Sequence, residues 1–161
     1  MANIATYYYY KDQPEISLKL YQRLVELGYE SSEIWNNMAL CCFANHQYHL
    51  YYNCFERAIL NARDDPFASS DLWYNIGYVY TIFGDIDMAL EAYRVAIAHR
   101  PDNCEALNNL AVILSQQGKT ETAINYCEKS YREAANFEAA YNLSLWYYQS
   151  NQLEKAHRYN Q

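Results

Sequence analysis

Apolar residues along the chain recur at helical spacing, and one short pattern of them returns at regular intervals. The pattern has five positions and occurs in four segments. It begins with an apolar residue or alanine, has asparagine at the third position, and ends with an apolar residue followed by a small residue. These asparagines, 38, 34 and 33 residues apart, are Asn37, Asn75, Asn109 and Asn142. Between them the apolar positions fit amphipathic helices and leave no strand pattern. The sequence therefore predicts helix pairs that repeat about every 34 residues.

Two helices in each period of about 34 residues are typical of tetratricopeptide repeats, which the chain resembles. Segment 70–103 fits best, with Trp73, Gly77, Tyr93 and Pro101 at positions where this repeat carries a large, a small, an aromatic and a proline residue. We expect an all-α, right-handed superhelical solenoid of antiparallel helix pairs. The expected single array covers residues 1–161, with repeats at 1–31 (partial), 32–69, 70–103, 104–136 and 137–161 (partial). Partial repeats at both ends indicate a piece of a longer solenoid.

Residue size predicts where the helices pack. Large residues at Trp35, Phe55, Trp73 and Tyr93 are expected to fill the space between successive pairs. The second repeat is longer by four residues, which we expect in a loop over 64–69. Small residues are expected where the two helices of a pair approach each other, at Ala39, Gly77, Ala89, Ala111, Ala123 and Ala156.

Turn and capping residues mark the ends of the expected helices. Gly84, Gly118 and Asn151 are of types that tolerate left-handed backbone, so we expect them in the turns inside pairs. Helix starts are predicted where capping residues precede an apolar run. These starts are at Ser31-Ser32, Ser69-Ser70, Asp102-Asn103 and Asn136.

Composition excludes several classes of protein. The 161 residues carry a net charge of −7, which argues against nucleic acid as the main ligand, because phosphate binding needs a basic surface. No apolar run reaches the roughly 20 residues of a membrane span. The start of the sequence lacks the basic and apolar regions of a secretory signal, so we expect a cytoplasmic location with reduced cysteines. The five cysteines form no CxxC pair and are expected to be small buried residues, without structural zinc.

No motif for catalysis or for a cofactor is present. Nothing resembles a nucleotide-binding loop, a nucleophile elbow or a metal-binding helix. The four histidines are expected to lie in loops or near helix ends, where a solvated role is usual. The sequence predicts a protein that is not an enzyme and that holds no cofactor or metal.

Instead, the candidate site is a protein-binding groove lined by the first helix of each pair. An asparagine side chain offers one acceptor and two donors, so the four repeated asparagines could hold an extended peptide backbone. The alternative is that they bond helix to helix. Neighbouring groove positions are acidic, amide-bearing or aromatic and include no lysine or arginine, which suits a partner with basic and apolar residues. The predicted partner-binding residues are Asn37, Asn75, Asn109, Asn142, Tyr74, Tyr78, Asn108, Tyr141 and Glu105.

Three longer strings carry a closer resemblance. They are residues 35–43 (WNNMALCCF), residues 71–79 after the four-residue insertion, and residues 105–112. With the upstream run 14–28, they resemble the C-terminal repeats of the Bardet–Biedl syndrome protein eight family, the tetratricopeptide-repeat subunits of the BBSome. The resemblance covers nearly the whole chain and fades after about Glu121. Family members are several times longer.

This resemblance implies a scaffold. The BBSome is a coat-like adaptor that carries membrane proteins into and out of cilia, and a small Arf-like GTPase recruits it to membranes. The implied partners are other BBSome-like subunits, at the cilium or flagellum and the basal body. Two alternatives remain open: a stand-alone, cochaperone-like peptide adaptor, and the recognition arm of a larger enzyme. The cationic residues of a chaperone-binding clamp are missing from the expected groove.

Overall fold

The computed structural model describes residues 1–160, so the predicted last repeat reaches beyond the described residues at Gln161. Within residues 1–160 the chain forms ten α-helices and no strand, which confirms the all-helical prediction. The helices are α1 (Ala2–Tyr10), α2 (Pro14–Glu26), α3 (Ser32–Ala44), α4 (Tyr48–Ala62), α5 (Pro66–Phe83), α6 (Ile86–His99), α7 (Cys104–Gln116), α8 (Thr120–Glu133), α9 (Phe137–Gln149) and α10 (Leu153–Arg158).

Two compact units divide the chain, and the first comprises Met1–Val79. In this unit α2 packs against α1 and α3, α3 packs against α4, and α1 also contacts α3. Short turns between consecutive helices make them antiparallel neighbours. The α5 segment of this unit is tied to α4 by the Ser69 hydroxyl, which donates to the Ala62 carbonyl oxygen at 2.9 Å.

The second unit comprises Tyr80–Gln161, of which residues 80–160 are described. Here α7 packs against α6 and α8, and α9 packs against α8 and α10. The first helices of two successive pairs, α7 and α9, also contact each other. As in the first unit, odd-numbered helices therefore lie side by side, and even-numbered helices pack against them.

Every small residue that is predicted to lie where the two helices of a pair approach each other is buried. This burial agrees with the predicted helix contacts. Trp35, Phe55 and Tyr93 are buried as expected. Trp73 is half-buried, as is usual for a side chain as large as tryptophan.

Turns inside the pairs each contain one residue with positive φ. The predicted turn residues Gly84, Gly118 and Asn151 have φ values of 79°, 79° and 56°, which confirms this part of the sequence analysis. Asp12 and His46 take the same conformation, with φ of 56° and 57°, in the turns after α1 and α3. A single left-handed residue ends the first helix and turns the chain back along it.

The predicted loop at 64–69 and the predicted helix start at Ser69-Ser70 are wrong, because α5 begins at Pro66. Asp65 Oδ1 accepts hydrogen bonds from the backbone N–H groups of Phe67 and Ala68, at 2.9 and 3.1 Å. Proline suits the first position of a helix, since its fixed φ is helical and its missing N–H is not needed there. The extra residues therefore add about one turn to the helix. The caps predicted at Ser31, Asn103 and Asn136 are confirmed.

Candidate functional site

Charge is divided between the two kinds of helix. Not one of the 12 lysines and arginines lies on α1, α3, α5, α7 or α9. Each of α3, α5, α7 and α9 carries one carboxylate, and these are Glu33, Asp71, Glu105 and Glu138. The even-numbered helices carry both signs. The odd-numbered helices, which the sequence predicts to bind a partner, therefore present acidic, amide and aromatic groups without a cation of their own.

In the first unit, three tyrosines line a small cavity, two of them on α1 and one on α2. The cavity, of about 50 Å³, is lined by Thr6, Tyr9, Tyr10, Tyr21, Asn37, Leu40 and Cys41. Burial raises the pKa of the Tyr9 hydroxyl, and the nearby Cys41, Tyr78 and Tyr10 raise it further. Tyr78, a predicted site residue on α5, is exposed, whereas Tyr74 is half-buried.

In the second unit, α9 presents an apolar stripe to solvent. Phe137, Tyr141, Leu145 and Tyr148 are 83%, 57%, 37% and 66% exposed. The rings of Phe137 and Tyr141 stack, with centroids 6.3 Å apart. Of these four, Tyr141 is a predicted site residue. Phe137 was missed, because it precedes the repeated motif; only its helical spacing from Tyr141 could have identified it.

Two of the four repeated asparagines bond to a tyrosine hydroxyl on the preceding even-numbered helix. Asn37 Nδ2 donates to the Tyr21 hydroxyl at 3.1 Å, and Asn109 Nδ2 donates to the Tyr93 hydroxyl at 3.3 Å. Both tyrosines are buried to about 1% exposure. Each bond therefore ties a first helix to the repeat before it.

The other two repeated asparagines each bond to an asparagine on the preceding odd-numbered helix. Asn75 Nδ2 donates to Asn36 Oδ1, and Asn142 Nδ2 donates to Asn108 Oδ1, both at 3.1 Å. Asn108 is 5% exposed, and the same oxygen also accepts from the Cys127 thiol at 3.6 Å. Asn108 thus lies below the surface and uses its oxygen inside the fold.

The residue type at one position of the even-numbered helices explains why two of the asparagines bond to a tyrosine and two bond to another asparagine. At the position that Tyr21 and Tyr93 occupy in their repeats, the other repeats have Phe55 and Cys127, which lack a hydroxyl. In those repeats, Asn36 or Asn108 supplies the acceptor instead. The helix-bonding role that the sequence left as an alternative therefore uses one N–H of each repeated asparagine.

The four asparagines keep hydrogen-bonding capacity beyond this role. Each is half-buried, and in residues 1–160 none of their Oδ1 atoms has a hydrogen-bond partner. The bond made by Nδ2 holds each amide in a fixed orientation. The acceptor oxygen and the second N–H remain for a ligand backbone.

The thiols are buried in the fold. Cys41, Cys42, Cys54 and Cys127 are buried and Cys104 is half-buried, all of them as free thiols. Burial raises the pKa of Cys41 to about 11 and that of Cys127 to about 12. These two thiols are therefore protonated at neutral pH and are poor nucleophiles. Among residues 1–160, no three histidine, cysteine or acidic side chains are grouped for a metal ion.

In the described part of the chain, no helix combines the length and apolar character that crossing a bilayer requires.

Family models described as tetratricopeptide repeat match residues 70–103 and 92–125. These matches fall across α5 to α8, where the helix pairs and their turns have the geometry described above.

Relatives with the same repeat cover more of the chain. Tetratricopeptide repeat protein 8 of Caenorhabditis elegans is 36% identical over 123 residues, or 76% of this chain and 24% of that protein. The mouse protein of the same name is 38% identical over the same shares. Photosystem I assembly protein Ycf3 of Cyanophora paradoxa is 39% identical over 82 residues, or 51% of this chain and 46% of that protein. The chain spans about a quarter of the length of the first two relatives.

Solved structures share the fold at low sequence identity. The pilF protein of Pseudomonas aeruginosa superposes with a TM-score of 0.84 and 16% identity, over 98% of this chain and 71% of that one. MamA superposes with a TM-score of 0.72 and 16% identity, over 97% and 90%. The repeat matches and the helix pairs agree, and the chain is a tetratricopeptide-repeat protein.

Proposed function

We propose that the chain is a non-enzymatic protein-interaction scaffold and a subunit of a BBSome-like complex in ciliary membrane-protein trafficking. The observation that carries this proposal is the identity of 36% and 38% with tetratricopeptide repeat protein 8 across 76% of the chain. That family is the one that the strings at 35–43, 71–79 and 105–112 resemble. Its partners would be the other subunits of the complex, with a small Arf-like GTPase for membrane recruitment.

Charge and exposure on the odd-numbered helices support the scaffold. Aromatic side chains such as Tyr78, Tyr141 and Tyr148 are exposed on helices that carry carboxylates and no cations. Exposed aromatic groups often provide most of the binding energy of an interface. The proposed location is cytoplasmic, at the cilium or flagellum and the basal body.

Affinity purification of the tagged full chain from ciliated cells tests this proposal. Quantitative mass spectrometry should recover several BBSome subunits in comparable amounts. Replacing Tyr141 and Tyr148 by serine should lower their recovery if the α9 surface faces another subunit. Tyr29→Ser is the matched control, because Tyr29 is an exposed tyrosine outside the helices.

A stand-alone peptide adaptor is the second candidate, favoured by the unpartnered Oδ1 atoms of the four repeated asparagines. Recovery of one client protein without any BBSome subunit would overturn the BBSome proposal and support this one. Binding of that client should then weaken in the Asn75→Ala, Asn109→Ala double variant. Recovery of no specific partner would overturn both.

A further inference from the structure

The exposed stripe on α9 has the shape of a binding face for one segment of a partner. Phe137, Tyr141, Leu145 and Tyr148 follow one another at spacings of four, four and three, which keeps them on one side of the helix. At a rise of about 1.5 Å per residue, the stripe is about 16 Å long. This length matches about three turns of a partner helix.

The neighbouring helix α7 extends this stripe sideways. Helix α8 packs against both α7 and α9, so the exposed sides of these two helices face away from α8. The bond from Asn142 Nδ2 to Asn108 Oδ1 joins them at 3.1 Å, beneath the surface. We call the exposed side of α7 and α9 the α7–α9 face; it comprises Glu105, Asn109, Val112, Gln116, Phe137, Glu138, Tyr141, Leu145 and Tyr148.

One end of the α7–α9 face is negatively charged. Glu105 and Glu138 are exposed and occupy the first turns of α7 and α9. Neither helix carries a lysine or arginine to neutralise them. Arg100 lies in the turn before α7 and pairs with Asp102, with Nε and Oδ1 3.6 Å apart.

We propose that the α7–α9 face binds a cationic amphipathic segment of a partner protein, and this inference rests on the proposed scaffold function. Apolar side chains of the segment would cover Tyr141, Leu145 and Tyr148. Its lysine or arginine side chains would lie over Glu105 and Glu138. An acidic segment is disfavoured, because it would place like charges against these two carboxylates.

Fluorescence anisotropy with the purified full chain tests this inference. The probe is a labelled helical peptide of about 14 residues, with leucine on one face and lysine on the other, long enough to cover the stripe. A second peptide has glutamate in place of every lysine. We expect the lysine peptide to bind at least about tenfold more tightly than the glutamate peptide, and less tightly as salt is added.

Matched charge variants separate this face from the overall negative charge. Glu105→Gln with Glu138→Gln should weaken binding of the lysine peptide about five- to tenfold. The control is Glu121→Gln with Glu154→Gln, which removes two exposed carboxylates from the first turns of α8 and α10. We expect the control pair to change the affinity less than about twofold.

Aromatic variants test the apolar contact. Tyr141→Ser with Tyr148→Ser should weaken binding at least about tenfold, and Tyr29→Ser should not change it. Circular dichroism of every variant checks that the helices are intact. Equal weakening by both charge pairs, or unchanged binding in the Tyr141, Tyr148 variant, would overturn the inference.

The purification and the peptide experiments together distinguish failure of this inference from failure of the proposed function. If BBSome subunits co-purify but the peptide results are negative, only the binding face is wrong. If the peptide binds as expected and one client protein co-purifies without any BBSome subunit, the BBSome proposal falls and the adaptor remains.

Discussion

Asn37 donates its Nδ2 hydrogen to the hydroxyl oxygen of Tyr21, 3.1 Å away on the preceding helix. The Tyr21 hydroxyl also lies 2.7 Å from Thr6 Oγ1, and Thr6 Oγ1 donates to the Ala2 carbonyl oxygen. Because the Thr6 proton is used on that carbonyl, Tyr21 donates to Thr6 and accepts from Asn37. One buried hydroxyl thus links three helices of the first unit.

Removal of this hydroxyl should destabilise the chain. Tyr21→Phe leaves Asn37 and Thr6 without their shared partner, and we expect the free energy of unfolding to fall by about 1–2 kcal/mol. Chemical denaturation measures the change. Tyr29→Phe, at an exposed tyrosine, is the control and should change stability by less than about 0.5 kcal/mol. Equal stability of Tyr21→Phe and the unmodified chain would show that the link contributes nothing.

The start of α5 depends on one aspartate. Asp65→Ala removes the acceptor for the N–H groups of Phe67 and Ala68, and we expect it to cost about 1 kcal/mol of stability. Asp64→Ala is the matched control, because the neighbouring carboxylate is exposed and changes the charge equally. Thermal unfolding of both variants measures the difference. If both lose the same stability, net charge is responsible and the cap is not.

Alkaline pH should weaken the fold through Cys127. Burial and then the charge of Glu128 raise the pKa of this thiol from 9.0 to about 12. Above pH 9 the unfolded chain loses the proton first, so stability is full below pH 9 and falls as pH rises towards about 12. The slope approaches about 1.4 kcal/mol per pH unit for one proton.

Unfolding of the unmodified chain and of Cys127→Ala, in reducing buffer at pH 8 and pH 10, measures this effect. The loss of stability between the two pH values should be smaller in the variant. Tyrosines also ionise in this range, but they are the same in both proteins. An identical loss would contradict the assigned role of Cys127.

Two substitutions at left-handed turn residues should differ in their effect on stability. Gly118 has a φ of 79° with open space where a Cβ would lie, so Gly118→Ala meets backbone strain and no clash. We expect a loss of about 1–2 kcal/mol. Asp12→Gly, at a φ of 56°, should instead leave stability unchanged or raise it by up to about 1 kcal/mol. Thermal unfolding tests both, and a stabilising Gly118→Ala would contradict the strain argument.

Short-range signals in the sequence predicted much of the fold. The helix periods, the left-handed turns at Gly84, Gly118 and Asn151, and the caps at Ser31, Asn103 and Asn136 all depend on neighbouring residues alone. The start of α5 was missed, although Asp65 and Pro66 carry its signal. The length of the other repeats assigned the four extra residues to a loop. In the structure the local signal at Asp65 and Pro66 starts the helix there instead.

By itself, the sequence determined the repeat, the small residues at close approaches and the absence of lysine and arginine from the odd-numbered helices. These properties follow from residue type and spacing. Only the tertiary structure decided which groups each repeated asparagine bonds, because the acceptor comes from another helix, 16 residues away for Asn37 and 34 for Asn142. It also decided that Asn108 lies beneath the surface while Tyr141 stays exposed, since burial depends on the helices packed around a residue.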